Sequence, residues 1–396
     1  LGQGKRSPEL PKSGNVLYKP MKLAGTIILG LQIIVVIGCG GNGSPAPTPT
    51  PTPVSAPTPV TSGEYLFEGN SGTSLNLATI NSTTGALSST TLLASQANDD
   101  VIYPGVAVTP SKRFLYALFT SFTEVQSFQL SGPGLQLTPV LTFLLPTAGP
   151  LNSMVLHPSG QFLYVVQSPG TIQEFSTNAT TGSLSAGPTV KPGGADLRVA
   201  AIDPAGKFMY VTDLTVGRIF AYQINPSNGS LTAVPGSPFT ISATAEPNIP
   251  VVDSTGHFLY VSLLSGLAGF AIDSSTGALT PIPGSPFSTS SQAVYIAADP
   301  VGNFLYDCTS NGLVDGFAIN PTTGVLTSVP GSPFSTALVP GNVAVAPSGK
   351  FVYVSITTGS SIYGFSLNPL TGSLTPLTGS PFASVSNPSN LFIAAF

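Results

Sequence analysis

Charge is scarce in this chain. Asp, Glu, Lys and Arg make up 7% of its 396 residues, against roughly a quarter in ordinary globular proteins, so Ser, Thr, Asn and the backbone itself must solvate the surface. Three Arg and four Lys follow Cys39. Neutralising phosphates takes clustered basic side chains, and their absence excludes a nucleic-acid partner. Cysteine is nearly missing too. Cys39 and Cys308 stand in unrelated contexts, which excludes a disulfide framework. Past the N-terminal segment no long stretch carries a 3.6-residue apolar period, so no sizeable helical domain is expected. Metal-ligand spacing, a phosphate-cradling Gly loop and a nucleophile elbow are likewise missing, and neither metal nor cofactor is expected.

Glycine (43) and proline (39) are abundant, as a fold of many tight turns requires. Residues 1–20 have no periodicity and read as leader upstream of the true start. Met21-Lys22 opens a charged region before the apolar run Leu23–Gly38, which is short for a bilayer span and reads as a signal peptide. Val36-Ile37-Gly38-Cys39 resembles the bacterial lipobox, which implies lipid attachment at Cys39, a membrane anchor and an extracytoplasmic place in the cell envelope. Residues 39–63 alternate Pro with Thr or Ala and favour polyproline II. They form a tether on the order of 70 Å long at about 3.1 Å per residue.

From Glu64 a repeat takes over. Its plainest copy, Gln292–Phe334, holds four β-type runs at Ala293–Ala298, Phe304–Cys308, Val314–Ile319 and Val325–Val329. The turns between them read Asp299-Pro300-Val301-Gly302-Asn303 and Asn320-Pro321-Thr322-Thr323-Gly324. The second-run aromatic recurs as Phe67, Tyr116, Tyr164, Tyr210, Tyr260, Tyr306 and Tyr353, and an outer Pro-Gly-Ser-Pro-Phe string recurs at 235–239, 283–287 and 330–334. Four strands in a unit of roughly 46–50 residues predict an all-β, seven-bladed propeller over 64–396. The first unit lacks an inner strand, whereas Asn390–Phe396 reads as an inner strand with nothing after it. Joining the two closes the ring.

Strings such as Asp203-Pro204-Ala205-Gly206-Lys207-Phe208-Met209-Tyr210-Val211 and Thr276-Gly277-Ala278-Leu279-Thr280 make the chain resemble the lactonase-type seven-bladed propellers, which include 6-phosphogluconolactonases. The resemblance implies a sugar-lactone hydrolase. The family's functional motifs are not matched, however. Arg198 stands where the resemblance implies a His, Asn248-Ile249 where it implies Arg-His, and Leu263-Leu264 where it implies Asn-Glu.

What remains is a modest polar set. Asn152, Arg198, Asn248 and Asn342 precede the first turn of their units by a common interval and are expected at one level of the channel, with Arg198 offering its charge to an anion. Asp213 and Arg218 flank a loop of the same unit as Arg198. His157 and His257 fall in turns and are expected to face solvent, Glu68 and Asp307 read as solvated strand-end charges, and Cys308 reads as a small buried side chain. No catalytic residue is expected. The reading that follows is a monomeric, lipid-anchored propeller that binds a small molecule or an envelope protein without catalysis, with lactone hydrolysis as the alternative.

Overall fold

The computed structural model describes residues 60–70, 74–95, 101–119, 124–145, 150–194, 196–242, 245–384 and 388–396. The expected leader, signal peptide, lipobox and nearly all of the tether fall outside them. Among the described residues every regular element is a strand, and the strands form seven antiparallel sheets arranged as a propeller.

Blade 6 shows the plan. Its strands Ala293–Ala298, Phe304–Thr309, Leu313–Ile319 and Leu326–Ser328 pair in sequence order from the channel outward. The second strand is buried at all six positions because both of its faces meet neighbouring blades, so Phe304-Leu305-Tyr306 cannot alternate apolar with polar. Apolar side chains point alternately to the blade before and the blade after. Seven separate core clusters result, one in each gap between adjacent blades.

Turn chemistry repeats as faithfully. Between first and second strands the side chains of Asp203, Asp253 and Asp299 accept the backbone N–H five residues on, at 2.5, 2.8 and 2.9 Å. Between third and outer strands Asn320 Oδ1 accepts from Thr322 and Thr323, and Gly324 closes the turn at φ +71°. In blades 4 to 7 the outer Pro-Gly-Ser-Pro-Phe or Thr-Gly-Ser-Pro-Phe string braces the third strand. There Ser237, Ser285, Ser332 and Ser380 each accept a third-strand N–H, from Ala221, Gly269, Gly316 and Gly364 at 2.9 to 3.0 Å.

The aromatic ladder is also a set of staples. Tyr306 is fully buried and its hydroxyl donates 2.7 Å to Gly372 O in the turn of the next blade. Tyr164, Tyr210, Tyr260 and Tyr353 reach Gly229, Gly277, Gly324 and Gly85 in the same way. Tyr306→Phe strands a buried carbonyl and is expected to cost about 1–3 kcal/mol. The check is a denaturant midpoint that falls while the m-value is unchanged.

Blade 1 is assembled from both ends of the described chain. Pro388–Ala395 supplies its inner strand against Glu64–Asn70, with Leu66 opposite Ile393 and Phe67 opposite Phe392. This strand touches the inner strands Val101–Val108 and Pro340–Val345 on its two sides, which completes the circle.

Candidate functional site

All inner strands run the same way round the ring, so their first residues share one end of the channel. Counting back five residues from the turn positions His157, Asp203, Asp253 and Ala346, whose N–H groups bond to the carbonyls of Phe162, Phe208, Phe258 and Phe351, gives Asn152, Arg198, Asn248 and Gly341. Three of the four expected residues therefore share a level at this mouth, in blades 3, 4 and 5.

Asn342 does not. It lies one residue further in and pairs with Ser355 beyond a register shift, a position equivalent to Ser153 opposite Val166 and Tyr295 opposite Cys308. Asn342 is fully buried, and neither end of its amide, nor the hydroxyl of Ser355, has a hydrogen-bond partner. A one-residue slip changes which way a strand side chain points, and that takes Asn342 out of the mouth.

At the mouth Asn152 Nδ2 donates 2.5 Å to Leu197 O and ties blade 3 to blade 4. The backbone carbonyl of Asn248 accepts from Thr212 Oγ1 at 2.7 Å. Arg198 is 40% exposed, and its Nη2 lies 2.9 Å from Asp196 Oδ2, a carboxylate 25% exposed. Asp213 accepts from Arg218 Nε at 3.4 Å and also from the Asp196 N–H, while the Arg218 guanidinium lies 5.0 Å from the Phe220 ring centroid. The result is a balanced group of two Arg and two Asp. An anion arriving at Arg198 has to compete with Asp196 for the guanidinium. Sequence reasoning passed over Asp196 because it sits in the connection before the inner strand Leu197–Ile202, where no repeat marks it.

The histidines are elsewhere. His257 is exposed in its turn, as expected. His157 is not: it is 7% exposed and takes the turn place that Asp203 and Asp253 hold in later blades. The Ser159 N–H donates to its Nδ1 at 3.1 Å, so Nε2 carries the proton and donates to Gly206 O at 2.8 Å. This is a satisfied imidazole linking two blades. Glu68 and Asp307 also depart from expectation. Both are fully buried, because the second strand is covered on both faces along its length. Cys308 is buried as expected, with its thiol pushed up first by burial and then by the neighbouring Asp307. Among the described residues no group of acids, His or Cys could hold a metal ion.

The family model for seven-bladed β-propeller lactonases matches residues 67–391. The chain belongs to this family. Its propeller is similar to a Bacteroides uniformis protein provisionally named a 6-phosphogluconolactonase, with TM-score 0.72 and 21% identity over 84% of this chain and 100% of the other. A Bacteroides fragilis protein of the same provisional name gives 0.70 and 22%, covering 84% and 98%. The periplasmic gluconolactonase of Pseudomonas aeruginosa gives 0.68 and 21%, covering 84% and 99%. At these identities the likeness is one of fold. No curated protein sequence matches the chain. Within the family fold, the described part of the mouth of this lactonase-like propeller presents the Arg198–Asp196 and Arg218–Asp213 pairs, with Asn152 and Asn248 on the level of Arg198, and both histidines lie elsewhere.

Proposed function

We propose that the protein is a ligand-binding member of the lactonase propellers, whose channel mouth takes a small hydroxylated molecule of the sugar-lactone class without turning it over. The observation that carries this is Arg198, partly exposed and flanked on the same level by Asn152 and Asn248. A guanidinium and two amides are donors suited to carbonyl and hydroxyl oxygens. Because Asp196 already offsets the Arg198 charge, an uncharged lactone fits better than its phosphorylated form.

Hydrolysis is the second reading, and Asp196 is the observation in its favour. Opening a lactone needs a group that takes a proton from water and a stabiliser for the oxyanion. Asp196 and Arg198 have the right chemistry for the two roles. Against it, both carboxylate oxygens of Asp196 already have protein partners, Arg198 Nη2 at 2.9 Å and Ser168 Oγ at 3.5 Å, and a water has to compete for them.

Titration calorimetry with gluconolactam, which cannot hydrolyse, is expected to show saturable binding that weakens at least fivefold in Arg198→Ala. δ-Gluconolactone and 6-phosphogluconolactone are expected to disappear at the buffer rate. Binding unaffected by Arg198→Ala removes the mouth as the site. A rate above buffer that drops tenfold in Asp196→Asn establishes the hydrolase.

We further propose that this site lies outside the cytoplasm and is tethered to a membrane through Cys39, a reading supported by the lipobox resemblance of Val36-Ile37-Gly38-Cys39. Cys39→Ser is expected to move the protein from the membrane fraction to the soluble fraction. Unchanged fractionation of the variant counts against the anchor.

A further inference from the structure

The channel also contains a cavity of about 450 Å³ that none of the mouth residues lines. Its wall comes mainly from the inner strands of blades 1, 2, 3, 6 and 7 and is apolar, with Val106, Val108, Val155, Leu156, Val345 and Phe392 as its half-buried members. Among the described residues no Asp, Glu, Lys or Arg lines it. Its polar side chains are Asn390 and His157, and both ring nitrogens of His157 are already engaged by Ser159 and Gly206. The rest of its polarity is main chain. Each inner strand is the edge of its sheet and pairs on one side only, so alternate N–H and C=O groups line the channel without charge.

We propose that this cavity binds an uncharged, predominantly apolar molecule, with the strand edges taking any carbonyl or hydroxyl it carries. The volume falls within the range of about 300–1,000 Å³ usual for small-molecule sites and equals the share of on the order of 15 waters. Water in such a space wets the half-buried Val, Leu and Phe side chains, and displacing it buries apolar surface at about 25 cal/mol per Å². A charged ligand would be desolvated with no counter-charge in the wall. The inference is independent of the mouth reading, since it uses different residues and the opposite ligand chemistry.

The test uses the full chain and the fluorescence of N-phenyl-1-naphthylamine, a neutral probe, after subtraction of its non-saturable partition. Saturable, blue-shifted binding is expected, at least tenfold weaker in Ala344→Phe, which places a ring in the cavity, and within twofold of wild type in Arg198→Ala. Anilinonaphthalene sulfonate, the same ring system with a charge, is expected to bind at least tenfold more weakly. Far-UV circular dichroism checks the fold of each variant, and Ala298→Phe replaces Ala344→Phe if the latter does not fold. Absence of saturable binding, equal affinity for the sulfonate, or an unchanged affinity in the folded Phe variant overturns the proposal.

Discussion

Removing Asn390–Phe396 is expected to open the ring at its seam, with a loss of at least several kcal/mol and aggregation of the product. The deleted strand is the inner strand of blade 1. It pairs with Glu64–Asn70 through Asn390–Ala395 opposite Gly69–Glu64. Beyond the ladder, Phe396 N donates 2.7 Å to Gly63 O, Gly63 N donates back at 3.1 Å, and the Tyr65 and Phe396 rings meet edge to face at 5.4 Å. Two core clusters lose members at once: Ala394 and Phe392 from the gap with blade 2, Leu391 and Ile393 from the gap with blade 7. Leu391 and Ile393 are 2% and 9% exposed, and burial of such side chains contributes about 1.5–3 kcal/mol each. Against a total stability of roughly 5–15 kcal/mol the ring does not survive the loss intact. The second strand of blade 1 then becomes an open edge that can pair with another molecule. Thermal melting and size-exclusion chromatography read both effects. A monomeric truncation that melts at the wild-type temperature refutes the closure.

That seam was legible in the sequence, because a strand without partners at one end and a unit lacking its inner strand at the other leave one solution. The turns were legible for a local reason: Asp299 and Asn320 bond to backbone a few residues away, so the sequence carries the whole interaction. Side-chain direction was less legible. Asn342 looked equivalent to Asn248, but the register shift between Pro340 and Asn342 and the use of Ala346 as the turn residue move it by one place. Neither has a mark in the sequence. His157 was misjudged because a turn histidine resembles a solvent-facing one until the carbonyl of Gly206, from the next blade, is seen beside its ring. Asp196 was missed for the complementary reason that its partner Arg198 is close in sequence but its setting in the mouth is not repeated elsewhere.

Replacing Asp307 by Val is expected to stabilise the protein at neutral and alkaline pH and to remove most of the decline in its stability as pH rises. Asp307 follows the ladder aromatic on the second strand, where Val165, Val211, Val261 and Val354 stand in other blades. It is fully buried, and neither carboxylate oxygen has a hydrogen-bond partner. Directly across on the third strand is Asp315, 4% exposed, whose Oδ2 accepts the Ser290 N–H at 2.6 Å. Burial, and after it the charge of Asp315, holds the Asp307 carboxyl well above the usual carboxylate range. The sign follows from the two states. At low pH the group is protonated both folded and unfolded; as pH rises past the ordinary carboxylate range the unfolded chain ionises first, and stability is lost until the folded-state carboxyl ionises too. Glu174, also raised by burial, acts in the same direction and leaves a smaller slope in the variant. Valine suits the strand and removes an unpartnered buried polar group, for a gain on the order of 2 kcal/mol at pH 8. Asp273 is held low by the Thr276 and Ser275 N–H groups, and any group common to both proteins cancels in the difference between wild type and Asp307→Val, so that difference, measured from pH 5 to 8, isolates Asp307. A wild-type stability that stays level across that range, or one whose decline is the same in Asp307→Val, would show that Asp307 is ionised in the folded protein.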